Sequence, residues 1–156
     1  MSQLDKYKDE FILLCESGFV AVNQMDEDSA LKLFKASQML QPDNALPKVG
    51  LGYLHLMKLE LTQACKMFED VLADEPDNEM AKTFLGISLS FTPNQVAKGE
   101  KILTQTAEKA SDPTIKNLAT SALDFVEKFV KKGAHGVNDI EAKKQQQQQQ
   151  QKRKAK

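Results

Sequence analysis

Two cysteines and two histidines are the side chains in this sequence that most readily bind metals or act as nucleophiles. Neither Cys15 nor Cys65 belongs to a Cys-x-x-Cys pair, and His55 and His135 lie far from each other in the sequence. A structural zinc site needs about four such ligands, so we expect no metal ion and no other cofactor. Both thiols are expected to be small, largely buried side chains in a reducing compartment.

Catalytic motifs are also absent from the sequence. It contains neither a glycine-rich phosphate loop nor a nucleophile elbow. The acidic run Asp74–Asp77 is typical of a helix end followed by a turn and a cap. The sequence therefore predicts a binding protein rather than an enzyme, and no small-molecule substrate is expected.

The composition favours long helices. Only seven glycines and five prolines interrupt 156 residues, of which 41% are hydrophobic. The longest apolar run is far shorter than the ~20 residues of a membrane span. Acidic residues appear within the first ten positions, which is not typical of a secretory signal. We expect a cytoplasmic protein that does not associate with a membrane.

Several residues recur at a spacing of 34. Pro42–Asn44 and Pro76–Asn78 have the same sequence. The same spacing relates Gly18, Gly52 and Gly86, as well as Ala30 with Ala64, and Phe34, Phe68 and Ile102. Glycine and alanine are expected where two helices approach closely, the large side chains between the units, and the prolines after the second helix of each unit.

This arrangement resembles the tetratricopeptide repeat, a helix pair that recurs with the same period. The tryptophan usual early in that repeat is replaced by Leu14, Lys48 and Lys82. The resemblance implies an all-α fold, namely a tetratricopeptide-repeat solenoid of three helix hairpins with a C-terminal capping helix. The repeats cover about 11–44, 45–78 and 79–112, and the capping helix covers 113–132, within a domain of residues 1–133.

The apolar spacing and the capping residues predict where the helices lie. The first is expected to run from Ser2 to about Asn23 and the last from Pro113 to Lys132. The others are predicted at about 26–40, 45–58, 61–74, 79–90 and 94–110.

The C-terminal segment 134–156 is predicted to be a disordered tail rich in glutamine and lysine. Residues 1–140 contain 15 Lys/Arg and 21 Asp/Glu, whereas residues 141–156 contain six Lys/Arg and one Glu. The tail has no aromatic residues among its basic ones, so a solubilising role is favoured and no nucleic-acid partner is expected.

A partner-binding groove is predicted on the first helix of each pair, which lines the concave face of such a solenoid. Its predicted residues are almost all apolar, as follows: Ile12, Cys15, Phe19, Val22, Leu46, Val49, Tyr53, Leu56, Met57, Met80, Thr83, Ile87 and Phe91. An exposed apolar surface of this size favours an amphipathic helix or an extended segment as its occupant. The alternative is that some of these residues belong to the core, or that the chain's own ends fill the groove.

The combination of three repeats, a capping helix, an apolar concave face and an acidic body resembles the chaperones of bacterial type III secretion. The short segment before the first repeat is closer to the needle-subunit type. That resemblance implies a cytosolic chaperone that keeps a secreted helical subunit monomeric, and a small helical co-chaperone as a second partner. The alternatives are a chaperone of the hydrophobic translocators, a general adaptor between proteins, and a self-associating structural protein.

Overall fold

A computed structural model describes residues 5–132, and every element in this part of the chain is helical. A 3₁₀ helix, Asp5–Glu10, precedes seven α-helices, and a π-helical turn, Val126–Lys131, follows them. The seven are α1 Phe11–Asn23, α2 Glu27–Leu40, α3 Leu46–Met57, α4 Leu61–Asp74, α5 Glu79–Ser90, α6 Val96–Lys109 and α7 Pro113–Phe125. The prediction of an all-α protein is confirmed. The predicted tail 134–156 and the predicted start at Ser2 lie outside the described residues.

Side-chain caps begin three of the helices. Asp26 accepts a hydrogen bond from the backbone N–H of Ser29 at 3.1 Å and begins α2. Asn78 accepts from Ala81 N–H at 2.9 Å at the start of α5, and Asp112 accepts from Thr114 N–H at 2.7 Å at the start of α7. Each cap satisfies a backbone donor that the first turn of a helix leaves without a partner. These helix starts are therefore set by local sequence.

Consecutive helices pack as hairpins, and the hairpins lie side by side. α1 packs on α2, α3 on α4, and α5 on α6. The first helices also touch one another, α1 with α3 and α3 with α5, and α7 continues this row against α5. Side chains on α1, α3 and α5 that point away from the second helices therefore form one common face.

Phe34 and Phe68 fill the space between hairpins. Both side chains are fully buried. A Cβ atom on Gly18 would lie 2.6 Å from the Phe34 ring, and one on Gly50 would lie 2.2 Å from the same ring. Phe34 thus lies against glycine backbone on α1 and on α3, and Phe68 lies in the same way against Gly52. The glycines are needed because the aromatic rings occupy the space of a side chain.

The third hairpin departs from the spacing of 34, and the predicted equivalence of Ile102 with Phe34 and Phe68 is wrong. α2 and α4 begin at equivalent positions of their repeats, whereas α6 begins one position later than the spacing predicts. Leu103, which is fully buried, therefore lies against Gly86, and Ile102 is only half-buried. The turn between α5 and α6 is longer than the turns within the other two hairpins, and this longer turn accommodates the shift.

The two ends of the described chain also differ from the prediction. Residues 5–10 form a 3₁₀ helix against α1 and α2 rather than the first turns of α1. α7 packs on α6 and α5 and buries Ile115 and Ala119, and Val126 is buried in the π-helical turn that extends it.

In the described part of the chain, none of the helices combines the length and the apolar character needed to cross a bilayer.

Candidate partner-binding surface

Five of the predicted groove residues are buried and offer no surface to a partner. They are Cys15, Val22, Val49, Leu56 and Thr83. Val49 and Leu56 belong to the core cluster around Phe68, and the hydroxyl of Thr83 donates to the backbone carbonyl of Glu79 at 2.7 Å. Cys15 packs with Leu40 of α2, and Val49 and Leu56 pack with side chains of both α4 and α5, so these residues belong to the core rather than to a groove.

The other eight predicted residues reach the surface and form what we call the odd-helix face. Leu46, Tyr53 and Met57 are spaced by seven and then four positions, and Met80, Ile87 and Phe91 repeat this spacing, whereas α1 contributes only Ile12 and Phe19, seven positions apart. The eight are Ile12, Phe19, Leu46, Tyr53, Met57, Met80, Ile87 and Phe91. Ile12, Met57 and Phe91 are exposed, and the remaining five are half-buried. All eight are apolar or aromatic, so the face offers mainly hydrophobic contact.

Tyr53 lies at the centre of the odd-helix face. Its ring contacts Phe19 at a centroid distance of 5.9 Å and stacks on Phe84 at 4.9 Å. Its hydroxyl donates to Asn23 Oδ1 at 2.8 Å, and burial raises the pKa of this phenol. Met80 and Ile87 pack against the same core cluster as Tyr53. The centre of the face is therefore an ordered aromatic surface, with its one polar group already paired to α1.

Two phenylalanines that the sequence reasoning did not assign to the face extend it onto the last helix. The ring of Phe125 lies 5.8 Å from Phe91 and 4.9 Å from Phe129, and all three side chains are exposed. We call these three residues the aromatic cluster. Phe125 lies 34 positions after Phe91, and Phe91 lies 34 positions after Met57. That spacing could have identified Phe125 had the repeat been extended into α7.

An ion-pair network lies beside the face where α3 turns into α4. Lys58 Nζ lies 2.8 Å from Glu27 Oε1 and 3.0 Å from Glu60 Oε1. These hydrogen bonds, first that to Glu27 and then that to Glu60, raise the pKa of Lys58. The His55 ring and then Lys58 lower the pKa of Glu60. The network links the first two hairpins.

A second apolar surface lies on α1, on the side away from α3. Leu13 and Val20 are exposed there, and they line a shallow cleft together with Ala21 and Ser29. At the equivalent positions of the next two hairpins every side chain is buried, namely Pro47 and Leu54 on α3 and Ala81 and Ser88 on α5. Leu54 and Ala81 belong to core clusters that include Phe34 and Phe68 of the preceding hairpins. This side of α1 is thus the surface on which a preceding helix would pack. We call it the open face of α1.

The thiols have little nucleophilic character. Cys15 is buried and Cys65 half-buried, both are free, and burial is the main cause that raises the pKa of each. A raised pKa leaves less thiolate, which is the reactive form. Within residues 5–132, no three His, Cys, Asp or Glu side chains are grouped closely enough to hold a metal ion.

Comparison of the chain with models of protein families, with curated proteins and with solved structures finds no match. Any proposal for its function therefore rests on the sequence and on the geometry of the described residues.

Proposed function

We propose that the hairpins form a tetratricopeptide-type solenoid and that the protein is a chaperone, not an enzyme, which holds a helical client on the odd-helix face. The spacing of 34 and the row of packed first helices support the solenoid. The buried aromatic rings packed against helix glycines at two of the hairpins agree with a repeating unit.

The observation that carries the proposal is that apolar side chains reach the surface at equivalent places on three successive first helices. Met57 and Phe91 are 39% and 38% exposed. In a protein that binds no partner, polar residues at such positions would lower the risk of aggregation. An amphipathic helix buries side chains spaced i, i+3, i+4 and i+7 against such a surface. A standard interface hides about 800 Å² per partner, and three helices are wide enough to supply it.

The proposed client is a secreted helical subunit of a type III secretion needle, which polymerises through apolar helical surface. Covering that surface in the cytosol would keep the subunit monomeric before export. Affinity would come from apolar burial, and the aromatic residues Tyr53 and Phe91 should contribute most. A small helical co-chaperone is the proposed second partner, and the open face of α1, with Leu13 and Val20, is the surface available to it.

Native purification of the full chain, followed by mass spectrometry of the proteins that accompany it, tests this proposal. A short helical secreted subunit together with a second small protein supports it, whereas a large hydrophobic translocator selects the translocator-chaperone alternative. A folded partner whose assembly is unaffected by the protein would select the adaptor. A stable homodimer without a client, measured by light scattering, would indicate that the face serves self-association.

Matched substitutions then locate the binding surface. Met57→Glu and Phe91→Glu place a charge on the odd-helix face and should weaken capture of the client by about 2 kcal/mol or more, roughly thirtyfold. Met39→Glu is the control, because Met39 is exposed on α2, outside that face. Equal capture by all three variants, with helix content unchanged by circular dichroism, would contradict the proposal.

A further inference from the structure

The turns that follow α1 and α3 each place a large apolar side chain where the backbone favours glycine. Met25 has φ of 59° and Leu59 has φ of 58°, both in the left-handed region. In both turns the N–H of the next residue donates to the carbonyl five positions before it at 2.9 Å, as in a Schellman motif. Glycine is usual at this place because a Cβ is unfavourable in the left-handed region. We call Met25 and Leu59 the turn pair.

Packing does not account for the turn pair either. Leu59 is 71% exposed and Met25 is 65% exposed, more than any other large apolar side chain within residues 5–132. In the third hairpin Asn94 takes the same place, two positions before the second helix, with φ of 63°. Asparagine accepts this conformation more readily than most residues with a Cβ. Strain together with exposure at apolar residues of two successive hairpins indicates that a partner covers them.

Both turns border the odd-helix face. Leu59 lies two positions after Met57, which belongs to that face. Met25 lies two positions after Asn23, whose side chain accepts the hydrogen bond of the Tyr53 hydroxyl. A partner that lies on the odd-helix face can therefore extend over both turns while it keeps its contacts with the face.

Acidic side chains surround the turn pair. Four carboxylates lie in these two turns or directly after them: Asp26, Glu27, Asp28 and Glu60. The nearby cations already contact this set, since Lys32 pairs with Asp28, and Lys58 pairs with Glu27 and Glu60. The His55 ring contacts Glu60 as well. The turn of the third hairpin, residues 91–95, has neither a charged residue nor an apolar one in the left-handed conformation. Acidic and apolar character thus occur together in the first two turns.

We propose that the client of the odd-helix face extends over the turn pair and that its segment there is a basic amphipathic helix. This inference rests on the proposed function. Apolar residues of the client cover Met25 and Leu59, and its lysines or arginines face the carboxylates. The axes of packed helices such as α1 and α3 lie about 8–10 Å apart. Residues i and i+7 of a helix are about 10.5 Å apart, so the client would contact the turn pair with apolar residues seven positions apart.

Charge favours this partner over a bilayer or a second copy of the chain. Apolar turns also suit insertion into lipid, but anionic headgroups would repel the carboxylates beside the turn pair. Residues 1–140 contain 15 Lys/Arg and 21 Asp/Glu, so a second copy would bring further negative charge to these turns. A cationic polypeptide is complementary to them in both charge and apolar character.

Fluorescence anisotropy with two labelled helical peptides tests the proposal on the full-length protein. Both peptides carry leucine at positions i, i+4, i+7 and i+11, flanked by lysine in the first and by glutamate in the second. The lysine peptide should bind at least about tenfold more tightly at about 0.1 M salt, and this preference should shrink towards about 1 M.

Met25→Asn combined with Leu59→Asn gives the turns the residue of the third hairpin. This double variant keeps the backbone conformation and removes the apolar surface. It should bind the lysine peptide at least about fivefold more weakly, although its free energy of unfolding should not fall. Met39→Asn is the matched control, because Met39 is 64% exposed but lies on α2, and it should bind like the parent protein.

Undiminished binding by the double variant, equal binding of the two peptides at low salt, or no binding of either would overturn the inference. If Met57→Glu weakens binding and the double variant does not, the odd-helix face remains the binding surface and only the role of the turn pair falls. If the double variant weakens binding and Met57→Glu does not, the proposed function falls instead. Flotation with phosphatidylcholine vesicles that is lost in the double variant would overturn the inference in favour of a bilayer.

Discussion

The hydroxyl of Tyr53 on α3 donates a hydrogen bond to Asn23 Oδ1 on α1 at 2.8 Å, which joins the first helices of two successive hairpins. The bond lies within the odd-helix face, beside the contact between the rings of Tyr53 and Phe19. Tyr53 therefore has two separable roles. Its ring supplies surface for the proposed client, and its hydroxyl links α3 to α1.

Tyr53→Phe separates these roles. It keeps the ring and removes the donor, so we expect the free energy of unfolding to fall by about 0.5–1 kcal/mol, the usual range for a partly solvated hydrogen bond. Urea denaturation measures the change. A double-mutant cycle with Asn23→Ala should return a coupling of about 0.5 kcal/mol or more. Strictly additive effects of the two substitutions would show that the bond contributes nothing to stability.

Leu59 should be replaceable by glycine with a gain in stability. It lies in the turn between α3 and α4 with φ of 58°, a left-handed conformation that costs a residue with a Cβ about 1 kcal/mol. Its side chain is 71% exposed, so little packing is lost. Leu59→Gly should therefore raise the free energy of unfolding by up to about 1 kcal/mol, measured by thermal or urea denaturation.

Two further glycine substitutions control for this effect. Met25 occupies the same place in the first turn with φ of 59°, so Met25→Gly should also stabilise. Met39 is equally exposed but helical, and Met39→Gly should destabilise by about 1 kcal/mol. If Leu59→Gly and Met39→Gly destabilise by the same amount, the backbone conformation at residue 59 is not strained.

Gly50→Ala should be among the most damaging single methyl additions. The new Cβ would lie 2.2 Å from the ring of Phe34, which is fully buried and already lies against Gly18. The ring has no free space to move into, so we expect a loss of about 1–3 kcal/mol or more. Gly86→Ala is the comparison, because its Cβ would meet Leu103 Cγ at 2.8 Å, and an aliphatic chain adapts more easily than a ring. A larger loss at Gly86 than at Gly50 would show that the ring is not confined in this way.

The sequence predicted the helices well because their signals are local. The predicted ranges 61–74 and 79–90 match α4 and α5, where the turn residues Pro76 and Asn78 separate two amphipathic stretches. The register of the third hairpin was missed because the spacing of 34 was carried through a turn that is longer than its equivalents. Leu103 and Ile102 are adjacent and both apolar, so the sequence alone did not show which one faces Gly86.

The candidate surface could be predicted only in part. Helical spacing assigned Val49 and Tyr53 to the same side of α3, but the neighbouring first helices cover Val49 and leave Tyr53 accessible. How far a residue is covered depends on how closely adjacent hairpins pack, which no spacing within one helix reports. A charged residue at Val49 would therefore test the fold rather than binding, whereas Met57 and Phe91 can be changed at the surface.

The carboxylate of Glu79 holds the loop between α6 and α7. Part of the free energy of unfolding should therefore depend on pH. Glu79 Oε1 accepts from Ser111 N–H at 2.7 Å and from the Ser111 hydroxyl at 3.0 Å, and Oε2 accepts from Asp112 N–H at 3.3 Å. The backbone bond from Ser111 is the largest of the causes that lower the pKa of Glu79 below its usual range. A lowered pKa in the folded state means that the unfolded chain takes up the proton first as pH falls.

The stabilisation from Glu79 should therefore be complete above the pKa of the unfolded chain, about 4.3, and should be lost as pH falls through the lower pKa of the folded state. At pH near 7 we expect Glu79→Gln to melt at a lower temperature than the parent, because a neutral amide accepts these hydrogen bonds less strongly and its NH₂ cannot accept at all. The difference should shrink as pH falls below about 4.3 and should vanish once pH lies below the lowered pKa of the folded state. Glu108→Gln, an exposed change on α6, serves as the control. A melting difference for Glu79→Gln that stays constant across this range would show that the charge of Glu79 does not hold the loop.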